Sequence, residues 1–292
     1  MEQQLTKDEK PLTVAEKVIK RLSIQEKSLS KADMVSFKAP IFNDAFNGGF
    51  KNGNLYLICG PPSVGKTTLL VSIAANLSIR RSPNFNVGVI TLDITPERWI
   101  QRTIANTSDI PLEKISTGIL SNEMLMQITN DYYVKCLNEL YFNDSCCMNI
   151  NEIEILISTW IQQHKMNIIF IDAIEFIQPL INELTTKCLA DWTRKLKEIA
   201  TSLNVPIILS TTLNENGEDL PLKQLRKLGA IEENMDVIIF MNRPAFYQSC
   251  KGETNFRMLK NNNGSLSFFT LKAMLQNQGF EEIVDEKINE TI

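Results

Sequence analysis

Eight residues, Gly60-Pro61-Pro62-Ser63-Val64-Gly65-Lys66-Thr67, set two glycines, a lysine and a hydroxyl where an apolar run gives way to helix-like periodicity. They fit the pattern G-x-x-x-x-G-K-[ST] at every position. The chemistry such a junction supports is polyphosphate binding. Glycine admits backbone conformations and close approaches that a Cβ would block. Successive N–H groups can then turn inward on an anion, helped by the positive end of a helix. Lys66 can reach β- and γ-phosphates, and the Thr67 hydroxyl can ligate Mg²⁺, so ATP with Mg²⁺ is the expected ligand. Such a loop needs an acidic partner for the metal. Asp172 closes the apolar run "NIIFI" and is the candidate, although an Asp at a strand end can also simply cap a turn. Hydrolysis further needs a carboxylate to orient or activate water. Asp93, after "VGVITL", is expected near the γ-phosphate, with Glu97 and Glu175 as rivals. Glu97 would equally serve as an ordinary acid in the first turn of a helix.

These side chains must be positioned by strands that end, and helices that begin, beside one another. The text alternates accordingly. Strands are expected at 54–59, 86–92, within "LNELYFND", and at 167–171, 205–210, "DVIIFMN" and "LSFFTLK". Helices are expected at 66–80, from about Pro96, over "NEIEILISTWIQQH" with Ile153, Ile155, Leu156 and Trp160 apolar, and at 188–203. Continuous apolar strands between amphipathic helices predict an α/β fold with a mostly parallel central sheet covered on both faces. Before it, Leu12, Ala15, Val18, Ile19 and Leu22 share one face of a short helical arm. The expected division is a tail and arm over 1–36, one domain over 37–280 and a tail over 281–292.

Composition narrows the class. The 292 residues are 43% hydrophobic, with a formal net charge of -4 that advertises no overall affinity for nucleic acid. Six scattered cysteines form no C-x-x-C pair, and no signal-like N-terminus is legible, so reduced thiols and a cytoplasmic location are expected. A single histidine, His164, removes most His-based zinc sites and the Ser-His-Asp triad. No apolar run approaches the ~20 residues that span a bilayer.

The order of "GGFKNGNLYLICGPPSVGKTT", "VGVITLDITPERWIQRTIAN", "KISTGIL", "NIIFIDAIEFIQ", "LKEIATSLNVPIILSTTLN", "LRKLGAIEENMDVIIFMNRP" and "LKNNNG" resembles the C-terminal motor domain of DnaB-type replicative helicases, RecA-like P-loop ATPases, from about Phe37 to Phe280. The resemblance implies a homo-oligomeric ring, usually a hexamer, with ATP between subunits, single-stranded DNA at the centre and replication proteins as partners. It implies Gly60–Thr68, including Thr68, as the nucleotide loop and Asp172 as the acidic metal residue. The family's catalytic glutamate falls on Asp93, one methylene shorter, a withdrawal of about 1.5 Å that can cost on the order of 100-fold in rate. Its polar sensor glutamine falls on Thr212. Of the lysine and arginine that reach a neighbour's γ-phosphate, Lys260 is kept and Asn262 stands at the arginine position, where a guanidinium can be worth ~10³-fold.

The family's channel-facing loops are basic, because phosphate contacts dominate affinity. Here the loop after Asp172 has only Lys187, and the later loop mixes Glu215, Glu218 and Asp219 with Lys223, Arg226 and Lys227. Those three bases are the nucleic-acid candidates, or else a solvated helix face. The chain is expected to lack the family's separate primase-contacting domain and to keep only the arm, which in the family docks on the next subunit. Two functions follow: an ATP-driven helicase-type motor, or a catalytically weakened ATP-binding regulatory or assembly module acting through protein partners.

Overall fold

The computed structural model describes residues 40–46, 49–80, 85–130, 137, 139–143, 145–179, 185–213, 221–228, 231–243 and 252–283. The arm, the 214–220 loop and residues 284–292 lie outside them.

Strands β1 (Leu55–Gly60), β2 (Val87–Thr91) and β4 (Ile168–Asp172) are buried at every residue. Strands of that kind must be covered on both faces, and parallel pairing with crossover helices does this. With β3 (Leu140–Phe142), β5 (Ile207–Thr212) and β6 (Val237–Asn242) they form the parallel run β3-β2-β4-β5-β1-β6. Beyond β6 the direction reverses. Strands β7 (Glu253–Asn261), β8 (Phe268–Met274) and β9 (Gly279–Glu282) add an antiparallel flap to the same sheet.

Successive residues of β1 go to opposite cores. Tyr56 and Ile58 pack with Leu69, Leu70, Ile73 and Trp99 of helices α2 (Lys66–Arg80) and α3 (Pro96–Ser108), with α1 (Pro40–Ala45) beside them. The flap closes that core with Phe256, Phe269 and Phe280. Leu55, Leu57 and Cys59 pack on the other face with α6 (Ile150–His164) and α7 (Thr185–Ser202). Between α3 and α6 lie the short helices α4 (Leu112–Thr117) and α5 (Asn122–Ile128), neither of which buries a residue. After β5 comes α8 (Pro221–Lys227), and single 3-10 turns occur at Ile174–Phe176 and Ile231–Glu233.

Local chemistry sets the helix starts. Thr95 accepts a hydrogen bond from the Arg98 N–H ahead of Pro96. Asn149 and Glu152 cap α6 reciprocally. The face of α6 differs from expectation at one residue. Ile150, Ile153, Ile157 and Trp160 are its buried set, and Ile155 is 66% exposed. Ile155 stands two residues from Ile153, about 200° round the helix, so both cannot face the sheet.

A candidate nucleotide-binding site at the strand ends

The parallel strands deliver their C-terminal ends to one edge of the sheet, where ligands gather in open α/β folds. Gly60 ends β1 and is paired in register with Thr212, the last residue of β5. Asp172 ends β4, and Asp93 follows β2.

Two glycines of the loop are sterically required. A Cβ on Gly60 would lie 2.4 Å from the Met241 carbonyl oxygen of β6. Gly65 has φ of +107°, and its Cβ would also sit 3.2 Å from Phe280 Cζ. Between them Pro62 and Ser63 are exposed, Pro61 is half-buried and Val64 is buried. Lys66, the first residue of α2, folds back over the loop, Nζ donating to the carbonyls of Gly60 (3.0 Å) and Pro61 (2.9 Å). Burial lowers the pKa of its ammonium. Nearby carboxylates oppose that shift, Glu175 most strongly, then Asp172 and, more weakly, Asp93.

Asp172 is buried, and Ser210 Oγ donates to its Oδ1. Its Oδ2 is also buried and has no hydrogen-bond partner. Burial raises its pKa, the Ser210 and Thr67 hydroxyls oppose the shift, and Asp93 and Glu175 add to it. A buried carboxylate oxygen left open beside a threonine hydroxyl fits a divalent cation. Mg²⁺ takes one or two protein oxygens and fills its remaining positions with water and phosphate. Among the described residues no group of three or more His, Cys, Asp or Glu could hold a metal by itself.

The three candidate water-handling acids are placed differently. Asp93 is exposed, although its backbone N–H donates to the Asp172 carbonyl at 3.3 Å. Glu97 is exposed in the first turn of α3, its carboxyl held below the usual range by its own backbone N–H and by Thr95. Glu175, in the 3-10 turn after β4, accepts from the Thr212 backbone N–H at 2.9 Å, so Thr212 enters the site through its main chain.

Other expected residues lie elsewhere. Lys260 pairs in register with Ile238 near the start of β6, level with Leu57 and about 10 Å down the strands from Gly60. Its Nζ donates to the carbonyl of Glu232 at 2.9 Å, and exposed Asn262 follows two residues on. Lys260 therefore does not join the phosphate loop of its own chain. Lys223 and Arg226 are exposed on α8, which ends at Lys227, and Arg226 Nε donates to Glu232 Oε1 at 3.0 Å.

Three residues beside the loop escaped the sequence reading. Arg243 is buried behind it, Nε donating to Thr254 Oγ1 and a terminal nitrogen to the Val64 carbonyl, both at 3.1 Å. Gln278, at a φ of 50° in the β8–β9 turn, accepts through Oε1 from Thr68 Oγ1 (3.2 Å) and from Arg102 (2.6 Å). Arg102, from α3, is near enough to Asp172 and Asp93 for their charge to act on it. Arg102 was legible only as a base on an amphipathic helix, and nothing local marked the other two.

The glycine loop, its lysine and the buried strand-end aspartate define a P-loop nucleotide-binding domain. A sequence model described as "DnaB-like helicase C terminal domain" matches residues 42–282, and this chain belongs to that family. It is 30% identical over 240 residues to a probable plasmid replicative DNA helicase of Chlamydia trachomatis, covering 77% of this chain and 52% of that protein. It is 29% identical over 219 residues to the replicative DNA helicase DnaB of Rickettsia felis, covering 70% of this chain and 44% of that protein. The chain thus spans about half the length of the curated relatives it matches. Among solved structures, the ATPase domain of G40P superposes with a TM-score of 0.79 at 20% identity, covering 94% of this chain and all of that one. A DnaB-like replicative helicase studied with primase gives 0.78 at 20% identity, covering 96% and 69%. These structures establish the RecA-like fold.

Proposed function

We propose that this chain is an ATP-hydrolysing motor domain that couples Mg-ATP turnover to movement along single-stranded DNA. The observation that carries this reading is the open, buried Oδ2 of Asp172 beside Thr67, facing a loop whose lysine has only carbonyls to bind. Lys66 exchanges those carbonyls for β- and γ-phosphate oxygens, and the N–H groups of 60–68 cradle the polyphosphate. Thr67 and Asp172 would hold Mg²⁺, which when bound neutralises charge on the phosphate oxygens. Lysine, hydroxyl and acidic partner suit a motor and a regulatory module alike, and the departures at Asp93, Thr212 and Asn262 lean to the module, but the replicative helicase relatives favour the motor.

The rest of the reading follows the family. Copies assemble as a ring, and Lys260, remote from its own loop, serves a neighbour's nucleotide. DNA runs along α8 through Lys223, Arg226 and Lys227. Replicative helicase relatives, and a structural neighbour described with primase, support replication proteins as partners and the cytoplasm as location. Among the described residues no helix is long and apolar enough to cross a membrane.

The test is Lys66→Ala. It removes the cation without touching either apolar core, so ATP affinity should be lost while the melting temperature of the ligand-free protein stays within a degree or two. Unchanged affinity in calorimetric titration would overturn the loop's assignment.

A further inference from the structure

Glu175 holds one carboxylate oxygen that the fold leaves unbonded. It sits three residues after Asp172 in the turn Ile174–Phe176, where buried Ile174 anchors the backbone. One carboxylate oxygen accepts from the Thr212 N–H at 2.9 Å, which fixes its direction. The other, Oε2, is buried and has no hydrogen-bond partner. Such an oxygen costs stability unless a partner comes to it, so its position decides whether it can serve the site.

Its place in the sheet says what comes. The strand order runs β2-β4-β5-β1, so a side chain after β4 crosses only β5 to reach the loop. Glu175 reaches β5 at Thr212, the residue paired in register with Gly60. Asp93 follows β2, one strand farther away, and is exposed. The Lys66 ammonium registers the same order, with Glu175 acting on it more strongly than Asp93. A carboxylate that handles the attacking water must lie within hydrogen-bond reach of it, beside the γ-phosphate that Lys66 marks.

We propose that Glu175 is the catalytic carboxylate of ATP hydrolysis in this chain, in the role that the family resemblance assigned to Asp93. The proposal rests on the reading of the domain as an ATPase. Water's oxygen bonds to the γ-phosphorus as the bond from that phosphorus to the β–γ bridging oxygen breaks. The bridging oxygen leaves with the electron pair as ADP. The proton released by the water passes to Glu175 Oε2 and then to the phosphate product or to solvent. Thr212 contributes as a positioning residue, since its N–H holds Oε1 and leaves Oε2 for the water.

The test compares Glu175→Gln with Asp93→Asn in the full chain, with Mg-ATP turnover and the affinity for a non-hydrolysable ATP analogue as separate readouts. The amide oxygen of E175Q would still accept from the Thr212 N–H, so the variant keeps its fold, checked by its melting temperature. Expected for E175Q is a 10²–10⁴-fold loss of kcat, the usual worth of a positioned base. Analogue affinity should be unchanged or tighter, because one negative charge beside the phosphates is gone. Asp93→Asn should lose less than tenfold. Full turnover in E175Q, equal losses in both variants, or an E175Q that binds the analogue more weakly would each overturn the proposal. So would a wild type that binds Mg-ATP without hydrolysing it, whereas one that binds no nucleotide would instead overturn the ATPase reading.

Discussion

Tyr56 is the second residue of the strand that leads into the phosphate loop, and its chemistry can be read in solution. It is 1% exposed, and its hydroxyl oxygen accepts from the Lys51 backbone N–H at 2.6 Å. Burial pushes its pKa up from 10.0 to about 12. The folded state therefore keeps the phenol proton where the unfolded chain has lost it. Stability from this group is fully present below pH 10 and falls as pH rises toward 12, by about 2–3 kcal/mol in all. Tyr56→Phe should show a shallower alkaline limb in denaturant titrations run between pH 9 and 12, and equal slopes would contradict this assignment. At the same scale, Lys66, Thr67 and Asp172 were legible because their meaning lies within a few neighbours. Arg243 and Gln278 were not, because they act on Val64 and Thr68 at separations of 179 and 210 residues, which no local pattern encodes.

The β8–β9 hairpin is the element that ties α2, which begins at the phosphate loop, to its neighbour α3. The Gln278 carbonyl takes hydrogen bonds from Ser72 (3.1 Å) and Asn106 (2.8 Å), while its side chain takes Thr68 and Arg102. Removing the side chain in Gln278→Ala leaves the main-chain bonds but strands two buried or half-buried donors, at roughly 1–3 kcal/mol. The variant should melt several degrees lower and bind ATP several-fold more weakly, because Thr68 and Arg102 lose their common acceptor. Thermal melts and nucleotide titration check both, and unchanged affinity would make the hairpin a mere cover. Buried strands in the parallel half were readable from apolar runs, and the start of α3 from Pro96. Strands β7 and β9 were not. The first alternates buried and exposed residues in a polar text, and the second has only four residues.

At the scale of the whole molecule, the stretch through α4 and α5 leaves its apolar side chains in water. Ile119 is 75% exposed, Met126 66% and Leu125 43%. Under the proposed assembly a neighbouring copy covers them. Ile119→Asp with Met126→Asp disturbs no buried contact, so the monomer should fold normally and the oligomer should dissociate in light scattering. Single-stranded DNA binding should go with it. Each phosphate neutralised adds only about 0.7 to the salt slope on single strands, and one α8 offers three bases, so a lone subunit holds DNA weakly. An oligomer of unchanged size would place the interface elsewhere.

The two ends of the sheet carry a consequence of their own. Its edge strands among the described residues are β3, of three residues, and β9, of four. An edge that short offers little open backbone for another strand to zip onto, whatever the sequence of the incomer. Under the proposed assembly, copies then meet through side chains, and side-chain contacts read identity and come apart again. A sheet of nine strands is thus kept from polymerising through its own hydrogen bonds, and association stays tunable one residue at a time.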